Sequence, residues 1–341
     1  MTISPNTRKA INDLLESFES IQRSSSDVRQ LNRFITTVTE LVKGPSSSLD
    51  IKIASSAIEE MSRAFTMFAP YRYVRKVSIF GSARTTADSP IYALTSATAK
   101  ALAEHNFMVV TGAGPGIMEA GMVGAGRENS IGVSIRLPFE TGANSVIAGD
   151  DKYVSMRYFF TRKLMLVKES HAFLCMPGGF GTLDETFELL TLAQTAKSVP
   201  VPIVFLEVPG HPFWTPLMKA MEPLLLDHGL ISASDTSLYT ITDNIEDAVN
   251  EITNFYSNYH SIRFVNDVLY IRLQRSVPTE RFSEIARRCA ALASDGVIEQ
   301  TTATAEEIHD NDVPEMPRVS LKYAAKGFAD LRELIDALNK F

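Results

Sequence analysis

The sequence is poor in cysteine, with Cys175 and Cys289 its only two in 341 residues. That excludes a disulfide scaffold and fits a reducing compartment, so a cytoplasmic location is expected. Cys175 lies in an apolar run and reads as a small core residue, not a nucleophile. Long apolar stretches are also missing. None approaches the ~18 residues of a membrane span, and the opening Met-Thr-Ile-Ser-Pro-Asn-Thr-Arg-Lys has no apolar signal-peptide core. There is no excess of positive charge. The net charge of −7 argues against nucleic-acid polymers and anionic membranes as partners. The six histidines, His105, His171, His211, His228, His260 and His309, show no metal-ligand spacing, so no metal is expected. Low-complexity tracts and internal repeats are absent. The remainder, 45% hydrophobic and 21% charged, is ordinary for a globular protein of one large domain with extensions, or of two.

Three regimes follow one another along the chain. Residues 1–70 have helical spacing, for example Leu31, Phe34, Ile35, Val38 and Leu41, interrupted by a breaker at Lys43-Gly-Pro-Ser-Ser-Ser48. Residues 71–258 alternate strands and helices. Strands are predicted at Val74–Phe80, Phe107–Thr111, Ile131–Arg136, 171–176, Val201–Leu206 and Leu238–Thr242. Helices are predicted at Pro90–His105, Gly116–Arg127, Tyr158–Lys168, 182–196, Pro212–Leu226 and Ile245–Tyr256. Such alternation implies an α/β fold: a Rossmann-like, doubly wound parallel sheet covered on both faces. Residues 262–341 change rhythm again and read as a small α+β appendage. It has strands at Val268–Leu273 and Arg318–Tyr323, helices at Thr279–Ser294 and Phe328–Asn339, and an acidic loop at Glu306–Pro317.

The chemistry is expected at the carboxyl ends of the strands, where open parallel sheets bind ligands. Phe80-Gly-Ser-Ala83, Thr111-Gly-Ala-Gly-Pro-Gly-Ile-Met-Glu119, Leu137-Pro-Phe-Glu-Thr-Gly142 and Met176-Pro-Gly-Gly-Phe-Gly-Thr182 all fall there and can line one crevice. In the last of these, a glycine-rich turn leads from a strand into a helix. Free N–H groups and the helix dipole favour an anion at such a junction, typically a phosphate. Gly178, Gly179, Phe180, Gly181 and Thr182 are therefore the candidate phosphate loop. Glu185 would then sit in the first helical turn, beside a bound anion. Thr182-Leu-Asp-Glu185 also fits a capping box, and the residues alone leave capping and catalysis both open. A dinucleotide is disfavoured, because Gly112-x-Gly114-x-Gly116 is not Gly-x-Gly-x-x-Gly and no acid ends the second strand. The Lys-Ser/Thr of an ATP-hydrolysing phosphate loop is absent too. A mononucleotide remains.

Pro177-Gly-Gly-Phe-Gly-Thr-Leu-Asp-Glu185 resembles the Pro-Gly-Gly-x-Gly-Thr-x-x-Glu signature of the LOG family, once labelled lysine decarboxylase-like. Arg162-Lys163 resembles its upstream Arg-Lys pair, and Gly81-Ser-Ala83 and Gly112–Met118 its other glycine turns. The likeness covers roughly residues 73–255. Tyr158-Phe-Phe-Thr-Arg-Lys-Leu-Met-Leu166 departs from the Met-His-x-Arg-Lys-x-x-Met of the short plant-type members and is similar to the longer bacterial ones. The resemblance implies cleavage of the N-glycosidic bond of nucleoside 5′-monophosphates, AMP-like purine nucleotides or cytokinin riboside monophosphates among them. The products are a free base and ribose 5-phosphate. It implies Glu185 and Arg162 as catalytic residues, and substrate contacts from Gly81, Ser82, Gly112, Gly114, Glu140, Met156, Lys163, Asp184 and Thr191. It also implies no cofactor and a homodimer or larger oligomer. The alternative is a non-catalytic nucleotide sensor or molybdenum-cofactor carrier. The decarboxylase label needs a pyridoxal-binding lysine with a supporting acid, and no such site is evident.

Overall fold

The computed structural model describes residues 25–136, 142–324 and 327–340, together with Lys9 and Asp13. The chain divides into two compact units at Ser62/Arg63. In the first, helix α1 (Ser25–Lys43) ends at Gly44, whose N–H closes onto the Glu40 carbonyl. Helix α2 (Ser48–Phe68) opens with a reciprocal cap in which the Asp50 N–H donates to the Ser47 hydroxyl and the Asp50 carboxylate accepts from Ser47.

The second unit is built on seven parallel strands: β1 (Lys76–Phe80), β2 (Met108–Thr111), β3 (Ser130–Ile135), β4 (Tyr153–Met156), β5 (Ala172–Cys175), β6 (Ile203–Leu206) and β7 (Thr240–Thr242). Their order across the sheet is β4-β3-β2-β1-β5-β6-β7. Helices α3 (Pro90–Glu104), α4 (Ile117–Ala125), α5 (Phe159–Lys168), α6 (Phe180–Gln194), α7 (Trp214–Asp227) and α8 (Ile245–Asn254) form the connections. Strands β1, β2, β5 and β6 are buried throughout, which explains the apolar runs of β2, β5 and β6; β1 buries Lys76 and Ser78 among its apolar residues. The chain steps one way from β1 through β4 and the other way from β5 through β7. The order therefore reverses between β1 and β5, paired from Val77 opposite Ala172 to Phe80 opposite Cys175. A crevice opens at the carboxyl ends of two such strands.

The remaining elements are β8 (Tyr259–Val265), β9 (Val268–Leu273), α9 (Thr279–Arg288), β10 (Ala293–Thr301), α10 (Ala305–His309), β11 (Arg318–Tyr323) and α11 (Ala329–Asn339). Their strands form an antiparallel sheet in the order β10-β11-β9-β8. One apolar core runs without interruption from Val77, Val109 and Leu174 through Phe255 and Tyr259 to Leu269, Ile271, Val319 and Leu338.

The α/β architecture agrees with the sequence reading, with four local corrections. Strands β4, β8 and β10 were not anticipated. Helix α9 stops at Arg288, and Ala293 and Ser294, read as its end, begin β10. The predicted acidic loop contains the short helix α10, started by a capping box between Thr304 and Glu307. Helix α6 begins at Phe180, two residues early, so the fourth correction bears on the site itself.

Candidate active site

The loops after β1, β2 and β5 converge at the switch point. The Ser82 N–H donates to the Pro177 carbonyl (3.3 Å), and the Ser82 carbonyl accepts from the Ile117 N–H at the start of α4 (3.0 Å). Around them lies a cleft of about 1250 Å³. Its floor is formed by Gly81, Ser82, Gly112 and Gly114, and one side by the run Gly178–Glu185. The opposite side comes from Ser134, Ile135 and Arg136 of the β3 end, Tyr153 and Ser155 of β4, and Phe159 and Arg162 of α5. Phe213 and Leu217 close one end.

Because α6 starts at Phe180, Gly179 is its N-cap residue and no side chain caps it. Thr182 is already helical, and its hydroxyl lies beside Gly178. The capping box left open for Thr182 and Glu185 is therefore absent, and Glu185 lies in the second turn of the helix. The N–H groups of Phe180, Gly181 and Thr182 are the helix's orphan donors, at its positive end. Gly179 and Gly181 have neither a left-handed φ nor any neighbour that a Cβ would meet. Nothing in the chain itself demands glycine at these two positions. A ligand lying directly against the backbone would.

The Glu185 carboxylate is 11% exposed, with its Oε2 3.4 Å from the Lys163 ammonium. Burial raises its pKa above the usual carboxylate range, and the positive charges of Lys163 and Arg162 oppose that rise. Lys163 also bonds Asp184 and Glu188, at 2.7 Å each. Burial works against its charge, but these two hydrogen bonds and the Glu185 charge outweigh it and hold its pKa above the ordinary lysine range. Arg162 is fixed by donation from its Nε to the Val133 carbonyl (3.1 Å), and its guanidinium passes over Gly112, where a Cβ would stand 2.3 Å from Nη2. Glycine at 112 is thus the space through which the arginine reaches the cleft.

The structure therefore brings Arg162, Glu185, Asp184, Gly81, Ser82, Gly112, Gly114 and the run Gly178–Thr182 to one cavity. It does not bring the rest. Met156 is fully buried in β4, and its alternating neighbours Tyr153 and Ser155 face the cleft instead. Lys163 stands behind Glu185, held among three carboxylates, and is not part of the wall. Thr191 is exposed further along α6, its hydroxyl donating to the Phe187 carbonyl. Glu140 lies outside the described residues. Arg84, Arg136, Phe213 and Leu217 line the cleft without having been singled out. Arg136 follows the last residue of β3, so its strand-end position was a usable signal. Phe213 and Leu217 carried none, because their placement depends on a distant contact. The Glu207 carboxylate accepts the N–H groups of Phe213 (2.7 Å), Trp214 (2.7 Å) and Thr215 (3.1 Å), pinning the start of α7 to the end of β6. Trp214 donates its indole N–H to the Cys175 carbonyl (2.9 Å) behind the phosphate loop. Cys175 is fully buried, and burial pushes its thiol up to about 12.

Residues 115–252 match a family model described as "Possible lysine decarboxylase". A probable cytokinin riboside 5′-monophosphate phosphoribohydrolase of Oryza sativa subsp. japonica is 27% identical over 186 residues, covering 53% of this chain and 77% of that protein. A cytokinin riboside 5′-monophosphate phosphoribohydrolase of Mycobacterium tuberculosis is 31% identical over 99 residues, covering 29% of this chain and 51% of that protein. Among solved structures, the Moco carrier protein from Chlamydomonas reinhardtii is 20% identical with a TM-score of 0.36, covering 52% of this chain and 93% of that one.

Proposed function

We propose that the chain is a LOG-family phosphoribohydrolase of nucleoside 5′-monophosphates, a reading supported by the segment that matches the family model and by the similar phosphoribohydrolases. The observation that carries this reading is a half-neutralised, buried carboxylate in the second turn of an uncapped helix. Five residues separate Phe180 from Glu185, a rise of about 7.5 Å along the axis. That is comparable to the reach from a nucleotide's 5′-phosphate to its anomeric carbon. A phosphate on the N–H groups of Gly179–Thr182 would therefore bring C1′ near Glu185.

When the C1′–N bond breaks, the electron pair leaves with the base and positive charge grows at C1′. The Glu185 carboxylate stabilises that charge and takes a proton from the water whose oxygen bonds C1′. Binding energy from the phosphate holds the sugar in place for this step. Arg162 offsets the combined negative charge of carboxylate and phosphate and is placed to bond the ribose or the departing base. Lys163 acts through Glu185, keeping it ionised despite burial. The cytokinin riboside monophosphates named for the relatives and AMP-like purine nucleotides are the substrates of this reading. It takes the protein as a cytoplasmic homodimer or larger oligomer, and the exposed apolar side chains Phe159, Phe160 and Leu164 of α5 and Phe180 of α6 support the association.

The test is base release from AMP, GMP, CMP, UMP and isopentenyladenosine monophosphate, with wild type beside Glu185→Gln. Release by wild type is expected, with a loss of roughly 10²-fold or more in kcat for the variant and substrate binding retained. Tight nucleotide binding without turnover by wild type would overturn the hydrolase and leave a carrier or sensor.

A further inference from the structure

A second cavity, of about 760 Å³, opens at the other edge of the parallel sheet. Its lining comes from segments just ahead of four strands: 72–75 before β1, 105–107 before β2, 170–171 before β5 and 199–201 before β6. Tyr256 and the first residues of β8 close it from the side of the antiparallel sheet. It is separated from the candidate active site by the length of the strands.

The lining is cationic, although the protein as a whole carries a net charge of −7. Some of this charge has a local explanation. Helix carboxyl ends attract cations, and His105 bonds the Ala101 carbonyl at the end of α3. Lys168 pairs with Glu169 at the end of α5. The surplus does not have such an explanation. Among the described residues, Arg72 and Arg75 make no ion pair with a carboxylate. Next to the lining, buried Lys76 donates to the Val74 carbonyl and shares with Lys168 the negative charge of Glu169. Arg75 is half-buried, its guanidinium 4.1 Å from the centre of the Tyr256 ring. Buried charge without a counter-charge is costly. The nearby Asp312 is already engaged by Arg263 and Arg272.

The histidines add directed donors. His171 Nδ1 accepts the Lys76 backbone N–H (3.3 Å), so the ring proton resides on Nε2. Burial, together with the charges of Lys76, Arg75 and His260, lowers its pKa to about 4. His171 is thus a neutral donor in a positive field. Exposed Tyr73 and Val199 form an apolar rim.

From this pocket of unpaired cations we propose a second ligand site, which takes a multiply charged phosphate anion of the pyrophosphate type on Arg72, Arg75 and His171. The inference is independent of the chemistry assigned to the cleft. The experiment is calorimetric titration with inorganic pyrophosphate at low ionic strength. The proteins compared are wild type, Arg75→Gln, Arg72→Glu and Gly179→Asp, the last of which sets a carboxylate in the cleft's phosphate loop. Binding to wild type is expected, weakened tenfold or more in each arginine variant and unchanged in Gly179→Asp. If circular dichroism shows that Arg75→Gln does not fold, the exposed Arg72→Glu decides. Pyrophosphate binding lost in Gly179→Asp and kept in the arginine variants would assign the anion to the cleft and overturn the proposal. So would the absence of binding to wild type.

Discussion

At the residue scale, the balance around Glu185 fixes how the protein responds to pH. Burial raises its pKa, and Lys163 is the first influence holding it down. A carboxylate that acts as base or cation stabiliser must be ionised. Activity is therefore expected to fall on the acid side at a pH above that of an ordinary glutamate, and to recover as the pH rises. Lys163→Met removes the opposing charge and leaves Asp184 and Glu188 uncompensated beside Glu185. The acid limb of kcat is expected to move to higher pH in that variant, with KM changed little because Lys163 is not in the cleft wall. A pH–rate profile of both proteins checks this. A large rise in KM with an unmoved limb would return Lys163 to the role of substrate ligand. The sequence singled out Lys163 by its place beside Arg162, but adjacent residues on a helix point about 100° apart, and here Arg162 lines the cleft while Lys163 turns to the carboxylates of α6. Met156 shows the same geometry on a strand, where alternate residues face opposite sides. Its neighbours Tyr153 and Ser155 reach the cleft, and it does not.

At the element scale, α7 supplies one end of the cleft only because Glu207 holds its first turn. Burial opposes the charge of this carboxylate. The Thr215 hydroxyl and the backbone N–H groups of Thr215, Phe213 and Trp214 outweigh burial and hold its pKa below the ordinary value. Its stabilisation is therefore complete at neutral pH and lost as the pH falls through that lowered pKa. Glu207→Ala is expected to cost about 2 kcal/mol near neutrality, read from urea unfolding midpoints, and to raise KM by releasing Phe213 and Leu217. The difference from wild type is expected to narrow in acid. A KM that stays constant while stability falls would show that α7 does not shape the binding site. The parallel sheet was legible because β1, β2, β5 and β6 are buried on both faces and so are predominantly apolar. The unanticipated strands are those at edges. In β10, Asp295-Gly296 looks like a turn, yet it forms an irregularity in an edge strand, with Gly296 at φ +72° and a register shift between Ala293 and Ile298. In β4, only four residues pair, half-buried, on one side. The start of α6 was misplaced for a related reason. Threonine followed by glutamate three residues later is a strong capping signal, and here the glycine ahead of it takes the cap position with no side chain.

At the scale of the whole molecule, the two sheets of the larger unit share one core. Phe255 and Tyr259 touch the same apolar cluster as Val77 on one side and Leu338 on the other. The sequence marks a change of rhythm near 262, but rhythm reports element type and not independence. Glu307 strengthens the second sheet from within: fully buried, it accepts from Arg272 at 2.8 Å and Arg318 at 3.0 Å. Removing residues 262–341 is expected to leave a product that binds a hydrophobic dye and melts without a cooperative transition. A sharp transition in that truncated chain, measured by calorimetry, would show the parallel sheet to be self-sufficient.

The chain has a single tryptophan, and it is Trp214, fully buried, stacked on Phe205 at 4.5 Å and tied to the backbone directly behind the phosphate loop. Every photon of indole emission therefore comes from one place. With one rigid, dry environment, that emission has a single origin at the short-wavelength end of the indole range. A shift in it on adding nucleotide reports the cleft wall beside Phe213, whereas an anion at the far edge of the sheet leaves it unchanged. The fold thus carries its own optical probe, placed so that occupancy of the two ends of the sheet can be told apart without a label.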